Sequence, residues 1–404
     1  MLPRKNILLI SLSNKGGGAS KIVSELFSGL QKSNLYKVEL LIFEGISGEN
    51  IFFVNSNLFH KLIFSLKNQF VKLLYCIFDN ANYQSINIFP SRLLRIINSS
   101  DADIVHLHWI GAEMISICQI AKINKKVIWT MHDAWPMNGS CHINPKEYNS
   151  NYIITNSLSE KSISFLDLLT INRKIKYLAN KKILFTSPSG WLIDKYKFSF
   201  YNKNYTNCIL VPNFINLTIW KCLEKKYARE LLGISTTKKI LIYGAGNLNK
   251  SYNKGFHFII EMCKKINPNE FAFIFFGNAD KGFSIDPRFE VFLFNQIEND
   301  QKLVEIYSAG DITIVPSYSE SFSMISLESI SCNTPVVAFN TSGIKEIVVH
   351  KKNGYLAKKF ELDDLLFGIE WLLNNPILNV QNSISKFSKE SVIPQYCEIY
   401  NTLD

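Results

Sequence analysis

No Cys-x-x-Cys pair occurs among the eight cysteines of this 404-residue chain, which fall singly at 76, 118, 141, 208, 222, 263, 332 and 397. That spacing excludes both a zinc knuckle and a disulfide framework and suits a reducing cytoplasm. Internal repeats are missing, as are Ser/Gly/Pro-rich or repetitive stretches, so neither a solenoid nor a disordered half is expected. Long apolar runs are missing at the start: Met-Leu-Pro-Arg-Lys-Asn leads into about seven apolar residues before Ser13, Asn14 and Lys15, short of a signal peptide or a membrane span. A soluble cytoplasmic protein is the expectation. What is abundant is core material, with 47% hydrophobic residues, 29 Phe and 17 Tyr. A chain of this length exceeds one compact core and fits two domains of about 200 residues each.

Positive charge is unevenly spread. Residues 1–200 hold 23 Lys/Arg against 13 Asp/Glu, residues 201–404 hold 21 against 21, and the net charge of +10 therefore sits on the first half. Such a field favours an anionic partner, nucleic acid or an acidic membrane surface. No nucleic-acid motif accompanies it, which leaves a peripheral position on the inner face of the cytoplasmic membrane; the habit of a Lys/Asn/Ile-rich proteome explains the same charge. Residues 58–78 bear on this choice. On a helical wheel Lys61, Ser65, Asn68, Gln69 and Lys72 share one face, while Leu62, Leu66, Phe70, Leu73 and Ile77 lie together elsewhere. The pattern fits an interfacial membrane helix and equally a helix packed on a sheet.

The chain opens as strand, glycine loop, helix, strand: Asn6 to Leu12, then Gly16-Gly17-Gly18, then the helical pattern Ile22, Val23, Leu26, Phe27, Leu30, then Val38 to Phe43. Asp103 to His108, Lys126 to Met131 and Lys182 to Thr186 continue the rhythm. It restarts near Lys238 with Lys239 to Tyr243, Phe271 to Phe276, Val291 to Phe294, Asp311 to Val315 and Thr334 to Phe339. The fold class expected is α/β with two doubly wound Rossmann-like domains, 1–205 and 206–385, their boundary in the aperiodic stretch 199–211. Residues 386–404 are expected to form a helix packing back toward the first domain. Ligands of two such domains bind at the strand C-terminal ends, in a cleft between them.

Chemistry concentrates in Ser319-Glu320-Ser321-Phe322-Ser323-Met324-Ile325-Ser326-Leu327-Glu328, which follows the strand ending at Val315. With a helix starting near Ser321 or Ser323, Glu320 sits in the loop and Glu328 in the second turn. The helix N-terminus between them suits a diphosphate, and a carboxylate one or two turns along suits a ribose. Gly244-Ala245-Gly246 after a strand, followed by Lys254-Gly255-Phe256 opening a helix, is a second phosphate-loop candidate. Gly16-Gly17-Gly18 lets backbone N–H groups approach a ligand, but Gly-x-Gly-x-x-Gly spacing is not met.

Here the chain resembles the retaining glycosyltransferases of family 4, whose GT-B architecture is two facing Rossmann-like domains. Residues 311–357 are similar to the family's donor-site signature almost throughout. The resemblance implies a nucleotide-sugar donor as substrate, no cofactor and no divalent metal. It places contact with the transferred sugar on Glu320, the ribose on Glu328 and the donor diphosphate on Lys254. Gly246, Lys250, Ser321, Phe322, Ser323, Gly17 and Gly18 become donor-binding candidates, Lys250 and Asn253 standing near where many relatives carry an arginine. Thr130 to His142 (TMHDAWPMNGSCH) is similar to a bacterial branch that includes colanic acid and other exopolysaccharide or lipopolysaccharide transferases. His132 matches the histidine that touches the donor sugar there, and Asp133, Trp135 and His142 become acceptor-side candidates for a saccharide or lipid-linked acceptor.

His106, His108, His132 and His142, with Asp133 and Cys141 nearby, raise a metal site, but the spacing matches no usual zinc pattern. The implied mechanism is same-face transfer, in which the leaving diphosphate helps to deprotonate the acceptor and the protein positions both substrates. Glu320 is the candidate nucleophile of the competing double displacement. Two other classes stay open: a GT-B epimerase or pyridoxal-dependent phosphorylase, for which no lysine stands out as a Schiff-base site, and a non-catalytic nucleotide-sugar-binding subunit.

Overall fold

The computed structural model describes residues 4–78, 84–142, 164–201 and 208–403. The chain divides into two compact units, Met1–Pro212 with Ile393–Asp404, and Asn213–Val392. The boundary expected between 205 and 206 lies outside the described residues. The flanking stretch, read as aperiodic linker, contains a short edge strand at Cys208–Leu210.

In the first unit the strands are β1 (Asn6–Ser13), β2 (Lys37–Glu44), β3 (Ile51–Phe53), β4 (Ile104–Leu107), β5 (Lys126–Thr130), β6 (Leu184–Ser187) and β7 (Cys208–Leu210). They form one parallel sheet in the order β3-β2-β1-β4-β5-β6-β7. Its helices are α1 (Gly18–Ser33), α2 (Leu58–Phe78), α3 (Leu93–Ser99), α4 (Ile117–Ala121), α5 (Phe165–Leu178) and α6 (Gly190–Lys197). Ile7 to Ile10 of β1 are buried on both faces, the reason its sequence is a bare apolar run rather than an alternation. Ile22, Val23, Leu26, Phe27 and Leu30 of α1 are buried, at the helical period the sequence displays.

The second unit contains α7 (Lys225–Leu231), β8 (Lys239–Asn247), α8 (Phe256–Cys263), β9 (Phe271–Asn278), β10 (Glu290–Phe294) and α9 (Asp300–Ala309). It continues with β11 (Ile312–Val315), α10 (Met324–Ser331), β12 (Val336–Phe339), β13 (Gly354–Ala357) and α11 (Leu362–Asn374). The parallel order is β10-β9-β8-β11-β12-β13. Both sheets are doubly wound, and in both the winding reverses at the first strand of the unit, between β1 and β4 and between β8 and β11. Loops leaving such a reversal splay apart and leave room for a ligand. The last helix, α12 (Lys389–Thr402), passes from one unit to the other at Val392/Ile393. In the first unit Tyr400 donates or accepts at His106 Nδ1, 2.7 Å away, and Lys5 Nζ caps the helix end on the carbonyls of Tyr400, Asn401 and Leu403 at 3.1, 3.3 and 3.0 Å.

One helix, α2, packs Phe64, Val71 and Leu74 inward and also exposes a second apolar stripe. Leu62, Leu66, Phe70, Leu73 and Ile77 of α2 are exposed, Leu66 and Leu73 by 54% and 55%, and only Val71 of this helix is buried. Among the described residues no helix is long and apolar enough to cross a membrane.

Candidate active site

Lys254, Glu320 and Glu328 of the second unit follow β8 and β11, the strands at which its winding reverses. Gly244, Ala245 and Gly246 lie inside β8 rather than in a loop after it, with the pairing to β9 shifting register between Gly244 and Asn247. A Cβ on Gly246 would meet nothing within 4 Å, so its backbone is open to approach. The chain then turns through Tyr252–Lys254 into α8, with Gly255 at φ 74°. A Cβ on Gly255 would stand 2.0 Å from the Pro316 carbonyl oxygen, so glycine is what allows the loops after β8 and β11 to touch.

That contact sets Lys254 Nζ 2.6 Å from Glu320 Oε1, an oxygen that also accepts from the Ser317 hydroxyl at 2.8 Å. The loop after β12 closes on the same point. Glu320 N donates to Ser342 Oγ and Gly343 N to the Glu320 carbonyl, both at 2.8 Å, and a Cβ on Gly343 would lie 2.2 Å from Ser321 O. The helix α10 starts after Ser323, a non-glycine residue held at φ 72°, a conformation that concentrates at functional sites. Glu328, in its second turn, is 5% exposed and accepts from Tyr307 Oη at 3.0 Å. Burial, and then the Glu328 carboxylate, push the Tyr307 phenol well above its usual range and keep it a donor.

Two expected donor residues are placed differently. Phe322 is buried against Phe387 in the core and can serve a ligand only through its main chain. Lys250 meets Asp280 at 3.0 Å, with Asn247 Nδ2 2.7 Å from the same Oδ2, and its side chain is 71% exposed. Sequence reasoning missed the flat stack of Tyr252, Tyr318 and His257, with centroids 5.4 and 5.1 Å from Tyr252 and Tyr318 Oη 2.9 Å from His257 Nε2. Tyr318 stands 66 residues from Tyr252 and 61 from His257, and no local pattern joins it to them.

In the first unit Gly17, at φ 64° with nothing within 4 Å of a Cβ, caps α1, whose first residue is Gly18. His132 follows β5, and its Nε2 lies 3.0 Å from His108 Nδ1. Burial lowers His132 to about 4 and His106 to about 3, and takes His108 well below its usual value, so the three imidazoles are neutral near pH 7. His106 is spent on Tyr400 and on Thr130 Oγ1, each 2.7 Å away. Among the described residues no group of three or more His, Cys, Asp or Glu is arranged to hold a metal ion.

Asp133 organises the next loop. Its Oδ2 is 2.6 Å from His142 Nδ1 and accepts from Trp109 Nε1 at 2.9 Å, while Oδ1 accepts from Trp135 N at 2.9 Å. Burial alone would raise this carboxyl, but His142 and the two tryptophan donors outweigh it and hold it below the usual range. His142 stacks on Trp109 and Trp135 and places Nε2 2.8 Å from Ser85 Oγ. Trp135 is 2% exposed and donates from Nε1 to Ser85 O at 2.7 Å, so it shapes the loop from inside instead of meeting an acceptor.

The helix α5 clamps this loop from below. The buried Lys174 donates to the carbonyls of Trp135, of Asn138 at 2.9 Å and of Gly139 at 2.8 Å, with its ammonium 3.9 Å from the Trp135 ring centroid. Asp167 Oδ1 accepts from Ser140 N and Oγ, both at 2.7 Å. Neither residue carried a local sequence signal.

Residues 225–391 match the family described as "Glycosyl transferases group 1". The match lies wholly within the second unit. Along more of the chain, the protein is 23% identical to an uncharacterized glycosyltransferase of Methanocaldococcus jannaschii over 339 residues, 76% of this chain and 77% of that one. In fold it is similar to the sucrose-phosphate synthase of Thermosynechococcus elongatus, with a TM-score of 0.71 at 16% identity and 99% of each chain covered. It is also similar to Anabaena HepE, solved in complex with UDP and glucose, with a TM-score of 0.66 at 16% identity, covering 99% of this chain and 100% of that one. Two Rossmann-like units with seven- and six-stranded parallel sheets are the GT-B fold class.

Proposed function

We propose that the chain is a retaining, metal-independent glycosyltransferase that moves a sugar from a nucleotide-sugar donor to a saccharide or lipid-linked saccharide in bacterial surface polysaccharide assembly. One observation carries this reading: the Lys254–Glu320 pair, 2.6 Å apart, stands where the second sheet reverses, with the buried Glu328 on the helix that starts beside it. In this reading Lys254 neutralises the leaving diphosphate, Glu320 contacts the transferred sugar and Glu328 accepts from the ribose hydroxyls. Tyr307 holds Glu328 in place as a positioning residue.

The neutral His132 offers a hydrogen bond and no charge, which suits contact with a sugar hydroxyl. The binding of UDP and glucose by HepE supports a nucleotide-sugar donor, and the similarity of 130–142 to exopolysaccharide transferases supports the acceptor class. The exposed apolar stripe of α2, beside Lys61 and Lys72 on a chain of net charge +10, supports association with an anionic membrane surface.

The test is to incubate the purified chain with UDP-, GDP- and ADP-sugars and a broad saccharide acceptor panel, following nucleotide release. Release is expected with one donor class, undiminished by a chelator. Glu328→Gln should weaken that donor about tenfold, the loss of one hydrogen bond to a charged group. Binding without release across the panel would favour a non-catalytic subunit, and an isomerised free donor an epimerase.

A further inference from the structure

In the first unit α2, residues 84 and 85 and the loop after β4 enclose a cavity of about 160 Å³, whose lining includes Asn68, Lys72, Tyr75, Trp109, Glu113 and His142. We propose that this cavity seats one sugar ring of the acceptor, with the Trp109 indole meeting its C–H face and Glu113, Tyr75 and Asn68 meeting its hydroxyls. The inference rests on the glycosyltransferase reading for the word acceptor and on the cavity alone for the sugar.

The size decides first. About 160 Å³ matches the roughly 150 Å³ of a cavity that admits one six-membered ring. The lining decides next. It combines one half-buried indole with a carboxyl, a phenol, an amide and, on the exposed side, the Lys72 ammonium. A pyranose, apolar on its faces and hydroxylated around its rim, needs that mixture. A stacked base is a poorer match, since Trp109 already has the His142 ring against it at 5.1 Å.

Glu113 is the most telling member. It is 1% exposed, and Oε2 accepts from the backbone N–H groups of Ile88 and Phe89 at 2.8 and 2.9 Å. Oε1 is enclosed and has no hydrogen-bond partner, a state that native proteins reserve for few groups. Burial pushes this carboxyl above its usual range. Ala112 and Glu113 are both left-handed, at φ 51° and 57°, and the strain is held in place by hydrogen bonds from Ala112 N to Ser85 Oγ at 3.0 Å and from Glu113 N to Asn87 Oδ1 at 3.3 Å. Ser85 Oγ is also the partner of His142, so the cavity wall and the loop bearing His132 and Asp133 share one hydroxyl. The donor candidates of the first unit, Gly17, Gly18 and His132, are not among the residues that line this cavity, so a sugar seated in it is assigned to the other substrate.

The probes are methyl α-glucoside, methyl α-galactoside, methyl α-mannoside and methyl N-acetyl-β-glucosaminide, titrated onto the full chain by saturation-transfer NMR. At least one should bind through its ring protons. Glu113→Gln keeps an oxygen for the Ile88 and Phe89 N–H groups and should weaken that probe about tenfold. Tyr75→Phe should weaken it severalfold, and Trp109→Ala should abolish binding. The affinity for whichever of UDP, GDP and ADP the chain binds should change by less than about twofold in each variant. Thermal unfolding checks that each variant folds, and Tyr75→Phe, the mildest, carries the test if Glu113→Gln does not. The proposal is overturned if none of the four sugars binds, if binding ignores all three substitutions, or if the nucleotide-sugar donor displaces the probe. Sugar binding without nucleotide release would sink the function and keep the seat; release without sugar binding would do the reverse.

Discussion

The two units share a parallel sheet wound in both directions and a strand order that reverses once, yet they furnish that reversal differently. In the second unit charge does the positioning: Lys254 against Glu320, with Glu328 against Tyr307. In the first unit the corresponding loops carry neutral imidazoles and a buried hydrogen-bond web pinned by α5 through Lys174 and Asp167. Lys254 and Glu320 remain partly exposed, with side chains 26% and 13% accessible, while Glu328 is buried. Groups that merely shape a loop can be buried, where their partners are scattered over the sequence. The group 1 family match stops within the charged unit, at residues 225–391.

The substitution that presses hardest on this contrast is Glu320→Gln. Loss of its charge should lower turnover about 100-fold or more, the scale of removing one preorganised electrostatic contact, with a much smaller change in donor affinity; steady-state kinetics on the responsive donor checks it. An equal loss in affinity alone would return Glu320 to a binding role. Lys174→Met addresses the other unit. It leaves three buried carbonyls without their donor and should cost about 3 kcal/mol in urea unfolding, while nucleotide affinity stays within about twofold. If Lys174→Met instead removes nucleotide binding and leaves stability alone, the division between a charged site and a structural web fails.

Protonation tests the neutral histidines. His132 has a folded pKa of about 4 against an ordinary 6.5. Between those values the unfolded chain holds the proton and the folded one does not, so stability rises with pH there and is lost as pH falls from about 6.5 toward 4. Urea unfolding at pH 7, 5.5 and 4 should show that loss. His132→Gln should remove on the order of 2 to 3 kcal/mol of it, the remainder being shared by His106, His108 and His257 and by the depressed carboxylates Asp133 and Asp311. A pH dependence unchanged in His132→Gln would mean that His132 is protonated in the fold.

What could be read from sequence follows the same division. Glu320 and Glu328 stand eight residues apart behind an apolar run, and Lys254 adjoins a glycine whose φ is 74°, so local spacing exposes them. Ser323, not Ser321, caps the helix, and Gly246 belongs to a strand, because pairing with β9 extends β8 beyond its apolar residues. Much of the web of the first unit joins residues 24 to 50 apart: Trp109 with Asp133, Lys174 with Asn138, Trp135 with Ser85. No periodicity encodes those partners. Trp135 carried a motif and was expected at the acceptor, whereas Trp109, which lines the cavity, carried none.

The smallest expected effect on stability concerns α2, where a helical wheel gave two faces but not which one meets the protein. The stripe of Leu62, Leu66, Phe70, Leu73 and Ile77 is the exposed apolar surface, while Phe64, Val71 and Leu74 pack inward, so Leu66→Asn with Leu73→Asn removes little buried surface. Unfolding free energy should therefore shift by no more than about 0.5 kcal/mol, the range of ordinary surface changes. Sedimentation with vesicles of phosphatidylglycerol at low salt should nevertheless fall sharply, because the stripe supplies the apolar area that a helix lying in the interface needs and the lysines alone give binding that salt screens. A destabilisation of several kcal/mol would show that the stripe is covered within the protein, and vesicle binding that survives the substitution would assign the interaction to the basic charge of the first unit alone.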